Sequence, residues 1–315
     1  MPARRTRRRT AIGATLGAVL VVAASIVVVK VSGLGAPRHP NPPPPAATPA
    51  PGKAAQTPPP TPGTTASGPD VGLLTADFAR LRSTIDGRIG LMIAPAGDAA
   101  SPVTLGEWTI GPAWSTIKVP LVIAALRETH SADITDAMRA AIVESDNAAA
   151  ESIWDGLGDP ASAAHAVEQV LVEADDHTTV ESRRIRPQFT AFGQTLWSLT
   201  AQIRFAAFAA CDARDAPVRA LMGQIEPDQR WGLGDIPNAE FKGGWGPSEE
   251  GSYLVRQFGF LTHGSGGVSV VAVAVEPASG SLSDGTADIT KIGEWLNKRI
   301  AMLPAGQCHG SAAGG

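Results

Sequence analysis

Apolar residues fall into three regimes along the chain. An almost unbroken apolar run covers residues 11–29, about the length that crosses a ~30 Å hydrocarbon core at 1.5 Å per residue. From residue 35 to about 69 the chain is mostly Pro, Ala, Thr and Gly, including Pro42 to Pro45 and Pro58 to Pro60, and it carries no apolar face. Beyond Asp70 periodic patterns begin. Residues 73–85 place Leu74, Phe78, Leu81 and Ile85 on one helical face. Residues 87–94 and 103–108 read as short strands. An alanine-rich block then predicts helices over 115–129, 134–144, 148–156, 160–173, 195–210 and 216–225. Strand patterns return at 240–244, 253–262 and 268–276, and an amphipathic helix over 289–303 closes the domain. Two strands, a helical block, three strands and a helix describe an α+β domain whose sheet is assembled from both ends of the chain.

Charge gives the apolar run a direction. Arg4, Arg5, Arg7, Arg8 and Arg9 precede it, which predicts a cytoplasmic N-terminus and an exported remainder. The run exceeds a signal-peptide core of roughly 7–15 residues, and no clean A-x-A site follows it. A retained single-pass anchor is therefore preferred to a cleaved signal. No cysteine follows the run, so lipid attachment at that point is excluded. The Pro-rich stretch cannot bury a core; as an extended spacer it would reach up to roughly 100 Å at ~3.1 Å per residue. The expected organisation is a basic cytoplasmic tail over 1–10, a membrane anchor over 11–32, a linker over 33–69, one folded domain over 70–305 and a flexible tail over 306–315.

Composition removes several classes of function. Residues 1–69 hold 8 of the 26 Lys and Arg and no acid, so 18 basic residues face 30 acidic ones from Asp70 onward. That excess of acid argues against a nucleic-acid partner. The 6 histidines lack metal-ligand spacing, and the 2 cysteines form no CxxC, so neither a metal nor another cofactor is expected. Outside the cell Cys211 and Cys308 could pair, but spacing alone does not show whether they approach.

Three short motifs carry candidate chemistry. Ser115-Thr116-Ile117-Lys118 opens a predicted helix directly after Gly111-Pro112. Positions i and i+3 share a helix face, so the Lys118 amine can lie beside the Ser115 hydroxyl. Serine needs such a base to become a nucleophile, and a lysine crowded by apolar groups or another cation can be neutral enough to serve. Ser145-Asp146-Asn147 falls between two predicted helices, and Lys242-Gly243-Gly244 ends a short strand pattern. Singly, these read as a helix-linking turn with a cap and as a strand-end turn with a solvated lysine. Their order and settings make the combination informative.

The set resembles the signature of class A β-lactamases and penicillin-binding proteins: Ser-x-x-Lys, then Ser-Asp-Asn, then Lys-Thr/Ser-Gly on a strand. Lys118-Val119-Pro120-Leu121 is also similar to that family's first catalytic helix. The resemblance covers about 235 residues. It implies an antiparallel five-stranded sheet flanked by helices, an all-helical subdomain and an acyl-enzyme mechanism. Ser115 would attack an amide or lactam carbonyl while Lys118 accepts its proton. Ser145, helped by Lys242, would relay a proton to the leaving nitrogen. Asn147 would hold the substrate's side-chain amide and Asp146 the loop. Gly244 and Trp245 would contact the substrate, and the N–H groups of Ser115 and Trp245 would form the oxyanion hole. The implied partner is a β-lactam or a stem peptide of the cell wall, met outside the cytoplasmic membrane.

Three departures qualify that implication. The interval from Ser115 to Ser145 is about half the family's usual one. The third motif reads Lys-Gly-Gly and lacks the hydroxyl that binds a substrate carboxylate; Arg256 on the following strand is a candidate replacement. No E-x-x-L-N segment supplies the glutamate that frees the acyl-enzyme, and Glu181 is the stand-in. A second reading follows from these losses: a catalytically silent module of the same fold that holds cell-wall peptide. Trp114 and Trp245 are expected to wall the cleft, with Trp108, Trp154, Trp197, Trp231 and Trp295 as packing.

Overall fold

The structure is a computed structural model that describes residues 71–308. The basic tail, the anchor expected over 11–32, the spacer over 33–69 and residues 309–315 lie outside the described residues. Among the described residues no helix is long and apolar enough to cross a membrane.

The elements run in chain order as α1 (Val71–Arg82), β1 (Gly87–Pro95), β2 (Val103–Gly106), β3 (Ile110–Pro112), α2 (Lys118–Thr129) and α3 (Asp136–Arg139). They continue as α4 (Asn147–Gly156), α5 (Pro160–Val172), β4 (Leu196–Ser198), α6 (Leu199–Ala209), α7 (Ala216–Met222), β5 (Glu240–Pro247), β6 (Tyr253–Thr262), β7 (Val268–Pro277) and α8 (Leu282–Asn297). The sheet has five strands in the order β2-β1-β7-β6-β5, every neighbouring pair antiparallel. Strands from the two ends of the domain meet where β1 pairs with β7, Gly87 opposite Pro277. β6 and β7 are buried at successive positions rather than alternate ones, a pattern that requires cover on both faces. Helices α6 and α8 provide it. Leu199 of α6 reaches Gly90 in β1, and Gly285 of α8 abuts Val255 in β6. Strand β5 remains an edge.

The remaining helices form a second layer around α2, which is buried from Lys118 to Leu126 without a break. Their boundaries follow side-chain caps. Thr135, Asp146, Asp159, Ser198 and Ser281 each accept a hydrogen bond from a first-turn N–H, as short oxygen-bearing side chains do at helix starts. Residues 140–144 continue α3 as a π-helical turn, so the helix is wider just before Ser145.

Four expectations need correction. The segment 195–210 begins not as helix but as β4, which pairs with β3. Residues 114–117 form a 3₁₀ turn ahead of α2. The closing helix spans 282–297 rather than 289–303; its first two turns, LSDGTAD, are too polar to show apolar periodicity. The expected tail does not begin at 306. Gly306 exchanges backbone hydrogen bonds with Val268, and Cys308 forms a disulfide with Cys211, Cα–Cα 5.1 Å, across 97 residues of sequence.

Candidate active site

The short β3–β4 pair delivers the chain to Ser115. The Ala113 N–H donates to the Thr195 carbonyl at 2.8 Å, and Thr116 Oγ1 donates back to the Ala113 carbonyl at 2.6 Å. Between them Trp114 adopts φ +48°, a left-handed conformation that costs a non-glycine residue about 1–3 kcal/mol and persists only when its surroundings hold it. The surroundings do so. The Trp114 indole is 6% exposed, meets Phe189 edge-on at 5.1 Å and lies against Gly246, where a Cβ would fall 2.5 Å from the ring. Trp114 therefore packs behind the nucleophile, and its remaining surface lines a cavity shared with Pro112, Arg186 and Leu254.

Beneath this turn lies a buried cation. Arg256 is fully buried. Its guanidinium donates to the carbonyls of Gly111, Pro112 and Trp197 at 3.0–3.1 Å and to Gln202 Oε1 at 2.9 Å. Gln202 in turn donates to Thr116 Oγ1 at 3.2 Å. Burial pushes the Arg256 pKa down to about 9, because carbonyl dipoles stand where a carboxylate would normally compensate. Arg256 thus braces the Ser115 turn from inside and is not placed to meet a substrate carboxylate. Nothing in the sequence links these four segments.

Above the turn, the three motifs converge. Lys118 is 1% exposed; its ammonium donates to the Ser145 carbonyl and, at 2.7 Å, to Asn147 Oδ1, with Ser145 Oγ at 3.5 Å. Lys242, fully buried, donates to Ser145 Oγ at 2.8 Å. Two lysines therefore bracket one hydroxyl. Desolvation lowers Lys118 to about 7, partly offset by the charges of Asp146 and Glu151. Lys242 is pushed well below the usual lysine range by burial and by Lys118 itself. Ser145 reaches this position through a left-handed residue, φ +57°, between the π-helical turn and α4. Asp146 holds that loop by capping α4, its carboxylate 2.6 Å from the Ala149 N–H.

The edge of β5 closes the arrangement. A Cβ on Gly244 would sit 2.8 Å from the Ser115 nitrogen and 3.0 Å from the Thr116 nitrogen. Only glycine lets the strand approach the nucleophile turn this closely. Next to it, Trp245 is half-buried and meets Trp231 edge-on at 5.8 Å. Trp108, Trp154, Trp197 and Trp295 are all nearly inaccessible, as expected of packing residues; Trp231 is the exception.

Glu181 does not join the cluster. Its carboxylate accepts from the Arg183 N–H at 2.8 Å and from the Arg183 side chain at 3.3 Å, and the backbone bond in particular holds its pKa below the ordinary value. Glu151 on α4, which sequence reasoning passed over, pairs with Arg184 at 2.6 Å. Among the described residues no group of His, Cys, Asp and Glu is arranged to hold a metal ion.

No family model matches the sequence, and no curated protein does. Solved structures do match. A class A β-lactamase from Bacteroides cellulosilyticus superposes with TM-score 0.59 at 14% identity, covering 71% of this chain and 96% of that one. A β-lactamase from Chitinophaga pinensis gives 0.58 at 15%, covering 71% and 98%. One from Streptosporangium roseum gives 0.55 at 15%, covering 74% and 100%. The chain has the class A β-lactamase fold. The antiparallel sheet and helices implied by the resemblance are those of this fold.

Proposed function

We propose that this protein is a serine hydrolase that forms an acyl-enzyme on Ser115 with a β-lactam or a cell-wall-peptide-like amide. The convergence on Ser145 of Lys242 and of Lys118, which lies three residues beyond Ser115, carries the reading. With a pKa of about 7, Lys118 is neutral in an appreciable fraction of molecules at neutral pH and can take the Ser115 proton as its oxygen attacks the carbonyl. The N–H groups of Ser115 and Trp245 then face the developing oxyanion, the kind of contact that is often the largest contribution in acyl transfer. The proton passes through Ser145 to the leaving nitrogen, and the hydrogen bond that Lys242 donates to Ser145 Oγ holds the hydroxyl for that relay. Asn147, bonded to Lys118, orients both the lysine and the substrate amide.

The site acts outside the cytoplasmic membrane in this reading, with residues 11–32 as anchor. Arginines ahead of that segment support the orientation, and the Cys211–Cys308 disulfide suits an oxidising compartment. Labelling with a fluorescent penicillin tests the chemistry: the wild-type protein acquires one covalent adduct on the peptide containing Ser115, in the membrane fraction. Ser115→Ala abolishes labelling with an unchanged thermal midpoint. Absence of any adduct from the wild type favours the silent binding module instead.

A further inference from the structure

The third motif has glycine where the resemblance leads one to expect a hydroxyl, and an aromatic group occupies the neighbouring space. A Cβ on Gly243 would stand 3.4 Å from Trp231 Cη2, 3.5 Å from Trp231 Cζ2 and 3.7 Å from Trp245 Cζ3. Trp231 and Trp245, half-buried and 5.8 Å apart at 69°, thus form an indole corner over the backbone of Gly243. A serine or threonine here would direct its side chain at Trp231. The corner covers Gly243 of β5, one residue beyond the lysine that holds Ser145.

Four positive groups of the site and its surroundings are committed elsewhere. Lys242 is buried and donates to Ser145. Lys118 is buried and donates to Ser145 and Asn147. Arg256 is buried beneath the nucleophile turn. Arg230, adjacent to Trp231, donates to the Gly234 carbonyl and covers Phe241 at 5.7 Å. An anionic group set against the two indoles would lose hydration without gaining an ion pair or a hydroxyl, which is costly. An apolar or aromatic group would gain contact area and edge-to-face geometry.

Resting on the acyl-enzyme reading of Ser115, we infer that the Trp231–Trp245 corner is a substrate subsite for an uncharged, preferably aromatic, group on the leaving side of the acyl donor. Substrate oxygen at the Trp245 N–H runs the acyl donor along the edge of β5. Its leaving side then passes Ser145 and meets the face formed by Gly243, Trp231 and Trp245. The enzyme accordingly selects neutral acyl donors over those that carry a carboxylate beside the scissile bond.

Three matched compounds test this: benzylpenicillin as the free acid, its methyl ester and its benzyl ester. Adduct formation is followed by intact mass on the full-length protein. The methyl ester acylates at least as fast as the acid, and the benzyl ester is faster still by a factor of about three to ten, the range expected for one aromatic pair. Trp231→Ala brings the benzyl-to-methyl ratio toward one. Trp231→Phe, which keeps an aromatic edge and guards against a folding defect in the alanine variant, retains most of it. A free acid that acylates tenfold faster than its methyl ester overturns the subsite, as does a benzyl preference that survives Trp231→Ala unchanged. Failure of all three compounds to form an adduct is a different result: it removes the acyl-enzyme reading itself.

Discussion

Lys118 is under two opposed demands: it is buried to reach Ser145 and Asn147, and the proposed acyl transfer requires it to carry a proton for part of the cycle. Desolvation settles the balance near neutrality, at about 7. In the proposed mechanism the neutral amine is the base, and its fraction rises as pH passes upward through that value. Acylation rates therefore climb between pH 5.5 and 8 with a midpoint near 7, measured as adduct formation in single-turnover mixing; a flat profile would exclude Lys118 as proton acceptor. Glu181 behaves in the opposite sense. Its lowered pKa and its commitment to Arg183 make it a poor base, so Glu181→Gln leaves the lifetime of the penicilloyl adduct within about twofold of wild type. General-base assistance is worth about 10²–10⁴-fold, and without it the adduct persists for many minutes by mass spectrometry. At this scale the sequence is legible where chemistry is local. Ser115 and Lys118 lie three residues apart, so counting alone puts them within one turn. Arg256, Gln202 and Trp231 act through contacts between segments 26–145 residues apart, and no motif announces them.

Elements in the helical layer are joined by charge as well as by packing. Arg127 near the end of α2 meets Asp215 at 2.8 Å and Glu173 and Asp212 at 3.4 Å, tying α2 to the end of α5 and the start of α7. Asp215 is fully buried, and desolvation raises its pKa to about 6 despite Arg127. A raised folded-state pKa contributes stability below the unfolded value near 3.8, and that contribution is lost as pH rises through 6. The thermal midpoint of the wild type should thus fall relative to Asp215→Asn between pH 4 and 7, by several degrees; parallel curves would refute the assignment. Helices with clear apolar spacing, such as α5 and α6, were readable to within a few residues. Strand β4 was not, because three residues carry no period and its partner β3 lies 84 residues earlier. The start of α8 was hidden by polar residues that serve its Ser281 cap.

For the whole molecule, the disulfide is the long-range tie that sequence left undecided. Closing a segment of 97 residues removes much of the freedom of the unfolded chain, typically worth about 2–5 kcal/mol. Cys308→Ser should lower the denaturant midpoint accordingly, and reductant should do the same to the wild type but nothing further to the variant. Fold class was accessible because the order of strand and helix patterns is itself a topology.

That topology also sets a timetable. β1 emerges early in synthesis, yet its sheet neighbour β7 lies some 190 positions later, Gly87 opposite Pro277, and such non-local pairing is slow because loop closure must come first. A nascent chain that ends before Val268 can zip β1 only to β2. Under the proposed export it would cross the membrane as an open chain, compatible with a narrow translocation pore, and become compact only after nearly all of it had been delivered. Arrested chains truncated at residue 265 should accordingly be digested by added protease, whereas chains released at full length resist it.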